Sequence, residues 1–127
     1  IRMLLKKIIG VRDTISGRRY SDIIEIAKDQ IRKTYMSDEI SLNTIAAEVG
    51  MSPSYFSSIF SKEMGKTFVE YLTEIRMDRA KELLMCSSMK TSEIGYEVGY
   101  KDPHYFSYIF KKTQNCTPKE FRARGKE

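Results

Sequence analysis

Ser54, Ser57, Ser58 and Ser61 fall at i, i+3, i+4 and i+7 within PSYFSSIFSK, residues 53–62. That is the spacing of one face of an α-helix. The octapeptide PSYFSSIF at 53–60 returns as PHYFSYIF at 103–110, with six of eight positions identical. In the second copy the same face reads His104, Ser107, Tyr108 and Lys111. Small hydroxyls let a helix approach base edges closely and can donate or accept there. The shared residues Phe56, Ile59 and Phe60, and their counterparts Phe106, Ile109 and Phe110, are those a helix buries. One core pattern thus carries two different outward faces, which suits two different half-sites on DNA. A plain solvated surface is the competing reading, and for any single serine, or for His104, it is the simpler one. Lys62, Lys111 and Lys112 come late in their helices, where they suit phosphate contacts and the negative end of the helix dipole equally. Tyr55 and Tyr105 are expected half-packed, with hydroxyls in reach of phosphate.

Other chemistry is thinly supported. His104 is the single histidine, and Cys86 and Cys116 are far apart and in no CxxC, so the close ligand pairs of a zinc site are missing. There is no GxSxG, no P-loop and no Cys/His dyad, and the carboxylates read as solvated helix faces. The expectation is a protein with no catalytic residues, no cofactor and no metal. Two unpaired cysteines fit a reducing, cytoplasmic setting. No run of about 18 apolar residues suggests a membrane span. The opening IRMLLKKIIG mixes charge into a short apolar run, unlike a signal peptide, and a chain starting at Ile1 is expected to be part of something longer.

The net charge is +5, unevenly placed. Residues 1–19 hold six basic side chains against Asp13, and the remaining 16 basic and 16 acidic residues cancel. Residues 101–127 are locally basic, with seven basic and three acidic residues. Position, rather than total charge, must therefore carry any nucleic-acid argument.

The elements that hold these faces read as helices. Ile23, Ile24, Ala27 and Ile31 recur at helical spacing between Tyr20 and Tyr35. Ser41 can cap a short helix over 42–49, and Gly50 follows where a left-handed residue is wanted. Ser52 and Pro53 open the next helix, which stops at Gly65. Thr67 and Glu70 form a T-x-x-E capping box before a long helix to Cys86, with Tyr71, Leu72, Ile75, Ala80, Leu83 and Leu84 inward. The pattern then repeats. Ile94, Glu97, Val98 and Gly99 match Ile45, Glu48, Val49 and Gly50 at an offset of 49, and the octapeptide follows at an offset of 50. Asp102 stands in the cap position, Asn115 replaces Gly65, and Thr117 with Glu120 repeats the capping box. Each unit is a short helix, a glycine turn and a second helix, the plan of a helix-turn-helix whose second helix enters the major groove. One such unit fits an ordinary helical corner as well; two with matched caps favour the DNA reading. The long helix over 68–87 would span about 30 Å, against roughly 34 Å for a turn of B-DNA. Two recognition helices would then sit in successive major grooves of an asymmetric site, with the DNA bent or one helix shallow.

The stretches IAAEVGMSPSYFSSIFSKEMGKTF, RMDRAKELL and IGYEVGYKDPHYFSYIFKK, ending in TPKEFR, resemble the DNA-binding domain of AraC-type transcription regulators over residues 20–124. The resemblance implies an all-α, seven-helix tandem helix-turn-helix domain, two subdomains joined by a linker helix. It places the first helix-turn-helix at about 42–64, the linker helix at about 68–87, the second helix-turn-helix at about 91–113 and a tail at 125–127. Its base-reading positions fall on Ser54, Ser57 and Ser58, and on Pro103, His104, Ser107 and Tyr108. Pro103 departs from that role, having neither an N–H nor a polar side chain. The first helix also lacks the Arg, Gln or Trp often found at these positions. IGVRDTISGRRYSDIIEIAKDQI resembles the join between a receiver domain and such an output domain in bacterial response regulators. A sensor kinase fused to the domain is a second parent it fits. Ile1, Leu4, Ile8, Val11 and Ile15 have heptad spacing, as in a dimer seam, interrupted by Gly10; a plain chain end reads equally well.

The expected function is sequence-specific double-stranded DNA binding in transcription regulation, with Ser61, Lys62, Tyr55, Tyr105, Lys111 and Lys112 at the phosphate edge. RNA polymerase is an expected partner, the fragment is expected to be mainly monomeric, and no membrane association is expected. The alternative is a helical module that docks on RNA polymerase without reading DNA.

Overall fold

Side-chain caps set where the helices begin. The structure, a computed structural model, describes residues 17–125 and contains seven α-helices: α1 (Gly17–Thr34), α2 (Leu42–Glu48), α3 (Pro53–Met64), α4 (Phe68–Cys86), α5 (Thr91–Glu97), α6 (Pro103–Gln114) and α7 (Pro118–Gly125). Among the described residues there is no strand. Ser41 and Thr44 exchange two bonds at the start of α2, of 3.1 and 2.9 Å. The Tyr55 N–H donates to Ser52 Oγ at 3.2 Å, and the His104 N–H to Asp102 Oδ1 at 2.9 Å. The expected boxes form at α4, between Thr67 and Glu70, and at α7, between Thr117 and Glu120. Each satisfies N–H groups that a helix start leaves without partners. At α5 the box is half formed: Glu93 accepts from the Lys90 N–H, and lysine has nothing to return.

The helix ends match the repeat. Gly50 and Gly99 take positive φ, 73° and 111°, so the chain reverses between the two helices of each unit. Asn115 ends α6 at φ 65°, as Gly65 ends α3 at φ 72°.

Two cores result. The first joins Ile24, Ala27, Ile31, Ile45, Ala46, Phe56, Ile59, Phe60, Phe68, Tyr71 and Leu72. The second joins Met77, Ala80, Leu84, Ile94, Val98, Tyr100, Phe106, Phe110 and Cys116. Helix α4 gives its first half to one core and its second half to the other. Phe56, Phe60, Phe106 and Phe110 are fully buried; truncating one to alanine typically costs about 3–5 kcal/mol. In the first core Phe56, Phe60, Phe68 and Tyr71 meet edge to face or tilted, with centroids 5.6–6.5 Å apart, a geometry that adds to area burial.

Several expectations need adjusting. Helix α1 starts at Gly17, three residues before the expected boundary at 20, and α7 runs through Gly125 into the expected tail. Val49 is the cap of α2 rather than its last turn. Ile23, Ile75, Leu83 and Ile109 are half-buried, because each lies at the edge of its helix's apolar stripe. The proposed seam from Ile1 to Ile15 lies outside the described residues.

Candidate nucleic-acid interface

The two cores leave one face of α3 and one of α6 toward solvent. On α3, Ser54, Tyr55, Ser58 and Lys62 are exposed, while Ser57 and Ser61 are half-buried. On α6, Pro103, His104, Tyr105, Tyr108, Lys111 and Lys112 are exposed and Ser107 is half-buried. The expected residues therefore lie together on two helix faces. Ser57 and Ser107, 50 positions apart in the repeat, share the same half-buried place. Among the described residues, no carboxylate pairs with Lys62, Lys111 or Lys112 within 4.0 Å, so their charges are available to a ligand. Cys86 is exposed and Cys116 buried, and both are free thiols.

The matched tyrosines differ in surroundings. Both are about half exposed, at 48% for Tyr55 and 50% for Tyr105, which agrees with half-packing. Tyr55, however, is tied to α1: its hydroxyl lies 2.6 Å from that of Tyr20, and the rings meet edge-on at 6.3 Å. That bond, helped by burial, raises the Tyr55 phenol pKa above its ordinary value. Tyr105 instead stacks between Tyr100 at 5.7 Å and Tyr108 at 6.2 Å. The Lys112 Nζ sits 5.8 Å from the Tyr108 ring centre, near enough for a cation–π attraction. An aromatic ladder thus runs from the turn out to the exposed face of α6.

What sequence reasoning missed lies behind these faces. Arg76, in the middle of α4, is only 8% exposed. Its Nε donates to the Tyr35 carbonyl at 2.8 Å and its Nη2 to the Ser37 carbonyl at 2.9 Å. Those carbonyls follow the end of α1, where acceptors lack intrahelical partners and the dipole is negative. Arg122 of α7 does the same for α4, donating to Leu84 O at 2.9 Å and Ser87 O at 3.1 Å. Each core is therefore locked by an arginine from the helix that closes it. A signal was present: Arg76 falls between Leu72 and Ala80 at i+4 spacing on an otherwise apolar stripe.

Chemically, the arrangement offers two convex helix faces rich in hydroxyls, one of them with two lysines. The helix-turn-helix domain family matches residues 45–124. The C-terminal domain of the response regulator AraT from Geobacillus stearothermophilus is 36% identical, with TM-score 0.81, covering 84% of this chain and 88% of that one. The C-terminal domain of the two-component response regulator YesN from Fusobacterium nucleatum is 34% identical, with TM-score 0.78, covering 80% of this chain and 98% of that one. An HTH-type transcriptional regulator in the cgkA 5′ region of Pseudoalteromonas carrageenovora is 36% identical over 100 residues, 79% of this chain and 58% of that protein. The chain spans between 11% and 58% of the length of the curated relatives it matches. With the fold, the doubled helix-turn-helix and these matches in agreement, the chain belongs to the helix-turn-helix family of AraC-type transcription-regulator DNA-binding domains.

Proposed function

We propose that this domain reads an asymmetric duplex site with α3 and α6 in successive major grooves. Ser54, Ser57 and Ser58 on α3, and His104, Ser107 and Tyr108 on α6, face base edges. Ser61, Lys62, Tyr55, Tyr105, Lys111 and Lys112 serve phosphates or the rim of the contact. The observation that carries this reading is the pairing of near-identical buried sides, Phe56/Phe60 and Phe106/Phe110, with outward faces of different chemistry. Identical supports aim both helices alike, and different faces call for different half-sites. At 19 residues, α4 spans about 28 Å, short of the roughly 34 Å turn of B-DNA, which supports a bent site.

The likeness to two response-regulator C-terminal domains supports a role as the output domain of a two-component regulator, acting in the cytoplasm under a separate receiver domain. In this reading the domain binds DNA mainly as a monomer and contacts RNA polymerase from the operator. The alternative, docking on RNA polymerase without reading DNA, fits the family less well.

Selection from a randomised duplex pool, followed by titration at several salt concentrations, tests the reading. A two-part, non-palindromic motif is expected, with a log–log salt slope of about −5 to −9 for roughly six to ten phosphate contacts. A slope near zero, or no binding at low salt, overturns it.

A further inference from the structure

The two units share little direct packing. Among the described residues, the principal helix–helix contacts lie within α1–α3 and within α5–α7, and α4 is common to both. The join is narrow, and Arg76 sits at its centre. From α4 its guanidinium holds the Tyr35 and Ser37 carbonyls of the first unit. Its other side faces the second unit: Cζ lies 4.8 Å from the centre of the Tyr100 ring. Tyr100 is itself buried in the second core, and its ring packs at 5.9 Å on Phe106 of α6. Gly99 closes the arrangement. A Cβ there would come within 2.7 Å of Arg76 Nη2 and 2.8 Å of the Tyr35 carbonyl. The turn before α6 is thus pressed onto the segment that follows α1, with the guanidinium between them. One further link crosses at the surface, where Lys101 Nζ lies 2.9 Å from Asp38 Oδ2.

We infer that Arg76 is a positioning residue for DNA readout: by clamping the α1–α2 connection to the Gly99–Tyr100 turn, it fixes the separation and angle of α3 and α6 and so sets the operator's half-site spacing. This rests on the proposal that both helices read DNA. A helix alone sets a distance, but α4 is a single rod through two small cores, and twist about it needs a second point of attachment. Arg76 supplies that point. Its planar fork binds two carbonyls while its face covers a ring, a geometry that the flexible point charge of lysine does not reproduce. Each base pair added between half-sites moves the second groove by about a tenth of a turn, so a stiff join rejects neighbouring spacings and a loosened one accepts them.

The test is selection from a pool holding the two half-sites of the wild-type motif with spacers of varied length. The variants are Arg76→Lys, Arg76→Met and Asp38→Lys, each checked for folding by its melting curve. Asp38→Lys leaves both cores intact and places repulsion opposite Lys101, so it remains informative if an Arg76 variant fails to fold. The wild type is expected to prefer one spacing over its one-base-pair neighbours about tenfold, falling to about twofold in the folded Arg76 variants and part-way in Asp38→Lys. Base preference within each half-site is expected to stay as in the wild type, which a general loss of stability would not produce. Folded variants that keep the wild-type spacing preference overturn the inference alone. A wild type that selects a single half-site overturns the proposed two-helix reading and this inference with it.

Discussion

The hydroxyl oxygens of Tyr20 and Tyr55 lie 2.6 Å apart, joining the start of α1 to the first turn of α3. Two phenols carry two protons, and one is used in the shared bond, so the pair keeps one to donate outward. Tyr55→Phe is expected to weaken binding to every duplex about three- to tenfold, since a lost phosphate bond carries no sequence preference. Tyr20→Phe leaves a donor on Tyr55 and should lose less. Fluorescence anisotropy with matched and scrambled duplexes checks this; a changed base motif in Tyr55→Phe would count against a phosphate role.

The two recognition faces should divide their labour. Lys111→Ala should weaken binding to all sequences and reduce the salt-slope magnitude by about one. Ser58→Ala should instead alter preference at one or two base pairs, by about 1 kcal/mol, because a hydroxyl cannot make the bidentate pairing of arginine with guanine. Ser57→Ala should shift the motif less, as Ser57 is half-buried and Ser58 exposed. Parallel selections and salt titrations of the three variants measure this. A motif rewritten by Lys111→Ala and untouched by the serine changes would reverse the assignment.

Gly50 and Gly99 occupy matching turns but should differ in tolerance. A Cβ at Gly50 meets nothing within 4 Å, so Gly50→Ala costs only the left-handed backbone, about 1–2 kcal/mol. At Gly99 the Cβ also meets Arg76 and the Tyr35 carbonyl, and the total should reach about 2–5 kcal/mol. Thermal melts of both variants decide it; equal losses would mean the junction around Arg76 yields easily.

Glu120 should make stability fall in acid. Bonds from the Thr117 backbone N–H and side chain hold its carboxyl below the ordinary 4.5. Between the folded value and 4.5 the unfolded chain binds more protons, so this contribution is present above 4.5 and is lost as pH drops through the folded value. Glu120→Gln keeps an acceptor for the Thr117 N–H without that titration. Its Tm should therefore fall less steeply than wild type below pH 4.5; identical acid limbs would show that other carboxylates set the slope.

What could be read from the sequence was the local part. Apolar spacing and caps fall within a few residues of the groups they satisfy, so Ser52, Thr67, Asp102 and Thr117 mark helix starts, and Gly50, Gly65 and Asn115 mark turns or ends, wherever the helices finally pack. The repeat located both outward faces for the same reason: burying Phe56 and Phe60 forces Ser54 and Ser58 to the other side. The placement of arginines and tyrosines across the fold was decided by tertiary structure. Arg76 reaches a carbonyl 41 residues away, Arg122 one 38 residues away, and Tyr20 a hydroxyl 35 residues away. No periodicity encodes those meetings, because each depends on the angle and depth at which two helices settle. The position of Arg76 on the apolar stripe of α4 hinted at burial, but only the closing of two cores around that shared helix made it the joint between them.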